Sequence, residues 1–426
     1  MAGNKWEMVQ ADVKTAFLNA DNPGHEYVRL PREVVKEDKQ RVRILLKALY
    51  GLQRAPRMWH LTFANWAIEA GFMQSQHDPC WFMHSTKQQM IIIYVDDMIM
   101  AASTKLLLDE LVEMLTLKFK SRVLGEPSYF LGMNLHYDKL TGTVLMTQQT
   151  YIEAVVEKFQ LQSVLPKSLP LAPGIALVKD QGEEMQQPDL YGSLVGALLF
   201  LAVCTRPDVS FAVGLLSRFV SKPSMVHWGV AVKVLAYLRS TKEKGILLGG
   251  KQKDGQIVGY ADSDWGSDTD DRISVSGGVI FWGSSILTWF SRKQSMISLS
   301  TAEAETHALV DVAKEVVHIQ RLVQEVYDFL DLGDIKMAMI CTDNQPAIDA
   351  VLNGKGRTKH YDLRIKYLAE AVARKWFEIN WVSTADNLAD IFTKALRTTR
   401  FRMLAAALVH EESESKSNRA NFRNEI

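Results

Sequence analysis

Cysteine is scarce: Cys80, Cys204 and Cys341 are the only three in 426 residues, far apart and odd in number. That excludes a disulfide framework and, without CxxC spacing, a structural zinc site. Neither charge sign dominates, since 49 Lys and Arg face 49 Asp and Glu. Any nucleic-acid contact must therefore come from a local patch, because no global basic field exists. Long hydrophobic runs are also missing. The longest, Leu194 to Cys204, is too short to cross a bilayer and contains a glycine, so buried helix is its expected state. The start, MAGNKWEMVQADVKTAF, lacks a basic n-region leading into an apolar h-region and does not read as a signal peptide. What is present is ordinary: 47% hydrophobic and 23% charged residues exclude a mainly disordered, collagen-like or coiled-coil chain. A soluble intracellular protein of about two to four domains is expected.

Along the chain, Trp6 to Val13 reads as a strand ending near Asp12, and Leu61 to Ala70 as a helix stopped by Gly71. The run IIIYVDDMIMA (91–101) reads as two apolar strands with an acidic pair at the hairpin tip, and 105–119 has helical periodicity. The segment VLPKSLPLAPG (164–174) reads as a linker or extended loop. A second break at 181–188 precedes a helical block to about residue 241. The polar, Gly-rich GGKQKDGQ (249–256) is the clearest domain boundary. Beyond it, three strands, a helix from Ser300 to about Phe329, and then alternating strands and helices to about Leu396 predict a mixed α/β sheet covered by helices. From Arg397 the chain reads as a polar, disordered tail.

Two acidic constellations carry the chemistry. Asp96 and Asp97 between apolar strands are costly without a compensating charge, and a divalent cation is the economical one because hard ions take carboxylate oxygens. Asp12, at the end of its own strand, can complete the cluster. Three acids on neighbouring strand ends suit a pair of ions about 4 Å apart that act on phosphate oxygens. A plain Asp-Asp turn is the alternative reading of the pair taken alone. In the C-terminal half, Asp262 in YADSDW and Asp343 in CTDNQ each end a strand, and acids from TAEAET and ADNLAD can approach the same point. Ser300 and Glu303 have capping-box spacing, whereas Glu305 shares a helical stripe with Leu309, Val312 and Val316 and so faces the sheet. Asp264, Asp268, Asp270 and Asp271 read as a solvated loop.

The order QADVKTAFLN, ALYGLQRAPRMW, YVDDM and GEPSYFLGM, continuing through YGSLVGALLFLAVCTRPDVSFAVGLLSRF to LADIFTKAL, resembles the Pol polyprotein of copia-type LTR retrotransposons over nearly the whole chain. The resemblance implies an α/β and α+β multidomain chain. A partial polymerase palm would occupy 1–125, a thumb and connection 126–250, a ribonuclease H-like mixed α/β domain 255–396, and a polar tail 397–426. It implies reverse transcriptase chemistry with Asp12, Asp96 and Asp97 as metal-binding acids and Phe17 as the bulky residue that excludes a ribose 2′-OH. Tyr129 to Leu135 would be a primer-gripping hairpin. Where the family has YGLKQAP this chain reads YGLQRAP, which keeps positive charge through Arg54. Family members carry a fingers segment before QADVKTAF, so weak or absent primer extension is expected.

For the C-terminal domain the resemblance implies hydrolysis of RNA in RNA–DNA hybrids by Asp262, Glu305, Asp343 and Asp390, with Asp390 preferred to Asp386. Two Mg²⁺ or Mn²⁺ ions per active site are implied. The basic stretch KGRTKHYDLRIK (355–366) offers Lys355, Arg357 and Lys359 to hybrid phosphates, a solvated helix face being the alternative. His360 could assist product release or be structural. Implied partners are the hybrid, primer–template nucleic acid and dNTP, without a membrane, and protease and integrase segments upstream in a full-length element. Its implied location is the cytoplasm, in a virus-like particle, or the nucleus. A non-catalytic, nucleic-acid-binding remnant is the rival function.

Overall fold

The computed structural model describes residues 6–24, 26–30, 42–249, 255–353 and 359–411, with backbone only for 359–362. The chain divides into two compact units, Gly3–Pro127 with Glu325–Leu332, and Ser128–Gln324 with Gly333–Ile426. No described helix is long and apolar enough to cross a membrane.

The first unit runs β1 (Glu7–Val13), β2 (Tyr27–Arg29), β3 (Val42–Ile44), α1 (Ala55–Glu69), β4 (Phe72–Gln74), β5 (Trp81–His84), β6 (Gln89–Tyr94), β7 (Asp97–Ala102), α2 (Lys105–Lys118) and β8 (Ser121–Gly125). A proline in its first turn opens α1, and Gly71 at φ 92 lets the chain leave it into β4. Thr104 caps α2 by accepting from the Leu107 amide. Six strands form one sheet in the order β4-β5-β6-β7-β1-β8. Trp59 and Phe63 of α1 and Leu108, Leu111 and Leu115 of α2 share a core with Ala11, Val13, Met98 and Met100 of the central strands.

In the second unit, β9 (Tyr129–Phe130), β10 (Met133–Asp138), β11 (Thr143–Thr147) and β12 (Ile246–Gly249) form an antiparallel sheet in the order β12-β11-β10-β9. The expected hairpin at Tyr129 to Leu135 turns through Leu131 and Gly132, both at positive φ. Between β11 and β12 lie α3 (Gln149–Lys158), α4 (Pro188–Cys204), α5 (Ser210–Ser217) and α6 (Met225–Ser240). The apolar run 194–204 is the second half of α4, which buries Leu194, Val195, Ala197, Leu198, Leu201 and Ala202 and leaves Leu199 and Val203 exposed, so the expected buried helix is buried on one face.

A five-stranded sheet follows: β13 (Ile257–Asp264), β14 (Val275–Trp282), β15 (Ser285–Lys293), β16 (Ala338–Thr342) and β17 (Phe377–Trp381), in the order β15-β14-β13-β16-β17. The first three pair antiparallel, while β13, β16 and β17 are parallel. Their connections are α7 (Thr301–Leu330), α8 (Gln345–Asn353) and α9 (Lys359–Ala373). The stripe Leu309, Val312 and Val316 of α7 is fully buried. It reaches the sheet over Gly259 and Gly278, where a Cβ would stand 2.8 and 2.7 Å from Val312 methyls.

Three expectations change here. The segment 249–256 does not separate two cores: Ile246, Leu201 and Leu216 share one apolar cluster with Val279, Ile286 and Phe392. The Trp289 indole also donates to the Ala202 carbonyl at 2.8 Å. No long helix runs to Leu396; a 3₁₀ turn covers Leu388–Phe392. The expected tail instead begins with α10 (Thr398–Leu408), which buries Phe401, Leu404, Ala405 and Leu408 in the same core. That is the i, i+3, i+4, i+7 pattern of an amphipathic helix, present in FRMLAAALV (401–409) immediately before the polar run that follows. Residues 412–426 lie outside the described residues.

Candidate functional site

In the first unit, Asp12 and Asp97 are cross-strand partners on β1 and β7, so two like charges face each other. Asp96 sits in the two-residue turn between β6 and β7 behind Val95, whose φ is 57. A β-branched residue in that region is strained. The turn is held by the Trp59 indole, which donates to the Val95 carbonyl at 2.5 Å, and by the Val13 amide, which donates to the Asp96 carbonyl at 2.8 Å. Gln10 donates to Asp97 Oδ1 at 3.0 Å. Partial burial, then Asp96 and Asp97, raise the Asp12 carboxyl above its ordinary range, against the pull of Arg122 and Lys14. Phe17 is buried, and its ring packs 4.4 Å from that of the exposed Tyr50. Arg54 is exposed, immediately before α1.

The second unit gathers acids more tightly. Tyr260 of β13 pairs with Cys341 of β16, so two residues further on Asp262 and Asp343 stand level at the carboxyl ends of neighbouring parallel strands. The chain leaves β13 to one side of the sheet and β16 to the other, and such a switch point opens a crevice beyond the strand ends. Glu305 enters from the second turn of α7. Carboxylate oxygens of Asp262, Glu305 and Asp343 all lie within 4.8 Å of one another, the one such cluster among the described residues. Glu303 is half-buried at the helix start, accepting from the Leu299 amide at 2.8 Å, while Ser300 Oγ accepts from the Glu303 amide.

Each acid is held. The Thr393 hydroxyl donates to Asp262 Oδ2. Thr384 Oγ1 donates to Asp343 Oδ2 at 2.6 Å, and the Trp381 indole to the Asp343 carbonyl at 3.2 Å. Glu305, 6% exposed, keeps its buried Oε2 without a hydrogen-bond partner among the described residues. Burial, then Asp262 and Asp343, push the Glu305 carboxyl up to about 9. Burial also pushes Asp262 up to about 6, against the pull of Lys394 and Thr393.

Such a set suits a hard divalent cation: oxygen donors alone, converging, with one buried lone pair aimed inward and unanswered. As both carboxyls are raised, the contribution of these two groups to the stability of the ion-free fold is fully present below the ordinary carboxylate range and is lost as pH rises through about 6 and about 9. A divalent ion held there would favour the ionised forms and offset that loss. Thermal unfolding should show a larger Tm gain from Mg²⁺ over EDTA at pH 8 than at pH 5.5; equal gains would contradict this.

Asp390 lies outside that cluster. It is 4% exposed in the 3₁₀ turn, 2.5 Å from Lys394 Nζ through Oδ1 and 3.2 Å from Arg400 through Oδ2. Asp386 is exposed and accepts from Ser383 Oγ at 2.5 Å. The 3₁₀ turn packs directly on β14 because residue 277 is glycine: a Cβ there would meet Phe392 Cβ at 2.8 Å and the Ala389 carbonyl at 2.9 Å. Gly277→Ala should therefore push the turn outward, costing about 1–3 kcal/mol of stability. Denaturant unfolding of the variant checks this.

Sequence reading missed several residues. Lys394 and Arg400 hold Asp390, and Arg400 also donates to the carbonyls of Thr384, Ala385 and Asn387. The apolar spacing in 401–408 was the available signal for Arg400, because it places that residue on a helix. Asp268 is not a solvated loop residue: it is 8% exposed and paired with Arg218 at 2.7 Å and Lys293 at 2.5 Å. Lys355 and Arg357 lie outside the described residues, as do the side chains of Lys359 and His360. Of the same stretch, Arg364 is half-buried and Lys366 exposed on α9.

Residues 1–173 match the family model described as reverse transcriptase (RNA-dependent DNA polymerase). The chain is 34% identical over 411 residues to the retrovirus-related Pol polyprotein from transposon TNT 1-94 of Nicotiana tabacum, covering 93% of this chain and 30% of that protein. It is 30% identical over 312 residues to the putative transposon Ty5-1 protein of Saccharomyces cerevisiae, covering 72% of this chain and 100% of that one. Thus it spans less than a third of the first of these. Among solved structures, a foamy viral protease-reverse transcriptase in complex with RNA/DNA hybrid is similar at a TM-score of 0.50 and 11% identity, covering 92% of this chain and 45% of that one. At that identity the likeness shows the fold alone.

Proposed function

The chain belongs to the Pol family of copia-type retrotransposons, and from that premise we propose that its second unit hydrolyses the RNA strand of RNA–DNA hybrids. The observation that carries this is the meeting of Asp262, Glu305 and Asp343 at the carboxyl ends of β13 and β16. These three would hold one Mg²⁺ or Mn²⁺, and Asp262 with Asp390 marks the place of a second. Bound there, such ions activate a water and stabilise charge on phosphate oxygens. The protein's own part is to keep three carboxylates converged, with Asp390 fixed beside them, before substrate arrives. Thr393 orients Asp262, Thr384 orients Asp343, and α10 restrains Asp390 through Arg400. Side chains fixed in this way lose little freedom when the reaction begins.

Asp12, Asp96 and Asp97 are the corresponding acids of nucleotidyl transfer in the first unit, with dNTP and primer–template as substrates. Purified full-length chain should cleave the RNA of a labelled hybrid with Mg²⁺ or Mn²⁺ and stop on addition of EDTA. Folded protein that cleaves at no metal concentration would overturn the hydrolytic reading. Asp97→Asn should leave cleavage unchanged, which separates the two centres.

A further inference from the structure

Beside the three clustered carboxylates stands a cation that belongs to the protein. Lys394 lies four residues after Asp390, just beyond the 3₁₀ turn, and its ammonium lies 2.5 Å from Asp390 Oδ1 and 3.9 Å from Asp262 Oδ2. Asp390 cannot turn away to meet another partner, because Arg400 holds its second oxygen and is itself tied to three carbonyls around the 3₁₀ turn. Lys394 has no comparable anchor. It is 39% exposed and hangs on a four-carbon stem, so its head can swing into water.

Resting on the metal reading above, we propose that Lys394 is an internal cation occupying the place of the second divalent ion, which binds only by displacing it. Two neighbouring positions then behave differently. The cluster of Asp262, Glu305 and Asp343 offers three acids, and Lys394 reaches it only at 3.9 Å from Asp262 Oδ2, so an ion entering it meets a weaker competing charge. Between Asp262 and Asp390 an incoming ion meets a positive charge already in hydrogen-bonding range, and like charges at a few ångströms repel substantially even at an intermediate dielectric. Asp264, half-buried on the same strand, is a further acid acting on Lys394 and adds to the attraction that keeps it there. The outcome is a centre that holds one ion firmly at rest and admits the second only against competition. The competing group is the lysine of the ADIFTKAL segment, a positioning residue set by the tertiary fold.

The test is Mn²⁺ titration of the chain without nucleic acid, with free Mn²⁺ read by electron paramagnetic resonance. It uses an Asp12→Asn, Asp96→Asn, Asp97→Asn background so that the first unit's acids add no ion, and wild type and the Lys394 variants below are compared in that background. Wild type should show one tight site and a second weaker by roughly tenfold or more. Lys394→Gln should tighten the second site by roughly tenfold while moving the first by less than about threefold. Lys394→Arg keeps the charge and should leave the second site weak. A second site unchanged or weakened in Lys394→Gln, or equally tightened in Lys394→Arg, overturns the competition. A chain that binds no Mn²⁺ in any variant instead overturns the metal reading beneath it. A merely structural lysine would not tighten the second site selectively while leaving the first unchanged.

Discussion

Replacing Glu305 with Gln should lower hybrid cleavage by roughly a thousandfold, which corresponds to several kcal/mol of transition-state stabilisation supplied through a held metal ion. Glutamine has the shape of glutamate but offers one neutral carbonyl oxygen where the carboxylate offers charge. The folded protein should tolerate the change well. Glu305 is buried, faces Asp262 and Asp343, and is disfavoured in its charged form there, so a neutral side chain relieves a cost in the ion-free state. The expected signature is therefore opposed: activity lost, ion-free Tm unchanged or higher. Glu303→Gln provides the contrast, because Glu303 accepts from the Leu299 amide at the helix start and glutamine can accept there too. It should retain most cleavage. Initial rates on a labelled hybrid and thermal unfolding in EDTA measure both quantities. If Glu303→Gln is the inactive variant and Glu305→Gln the active one, the wrong carboxylate has been assigned to the ion.

The largest stability effect is expected far from the acids, at Arg206. Its side chain is fully buried, bonded to Asp208 through Nε at 2.9 Å and Nη2 at 2.7 Å, and it donates to the Thr241 carbonyl and hydroxyl. The Tyr237 hydroxyl donates to Asp208 Oδ2 at 2.6 Å. Arg206→Ala leaves the Asp208 charge buried without its cation, and breaking one side of such a pair costs roughly 3–5 kcal/mol. Denaturant unfolding should show that loss as a lowered midpoint. The double variant Arg206→Met with Asp208→Leu should recover much of it, although Tyr237 then lacks its acceptor. A single variant of wild-type stability would mean that Asp208 finds water or another donor.

Much of the two sheets that carry the acidic residues was legible because their signals are local. Strand Trp6 to Val13, the IIIYVDDMIMA hairpin and the stripe Glu305, Leu309, Val312 and Val316 each state their period within a dozen residues. A period specifies which face is buried. The helix after Arg397 was less visible, since the short apolar run FRMLAAALV passes straight into a polar tail, and its Phe401, Leu404, Ala405 and Leu408 matter only against a core supplied by residues some two hundred positions earlier. Asp268 illustrates the same limit. Four acids in one short loop look solvated, and only the approach of Arg218 and Lys293 makes burial of one of them tolerable.

By itself the sequence determined which acids end strands, which glutamate faces inward and which family the motifs resemble, because alternation, helical stripes and capping pairs are short-range consequences of backbone geometry. Tertiary structure alone decided that Asp262, Glu305 and Asp343 share one point, that Lys394 and Arg400 hold Asp390 apart from it, and that Gly277 admits the turn carrying Asp390. Those are distances between segments far apart in the chain. Charge and shape become energies only when folding brings such segments within a few ångströms.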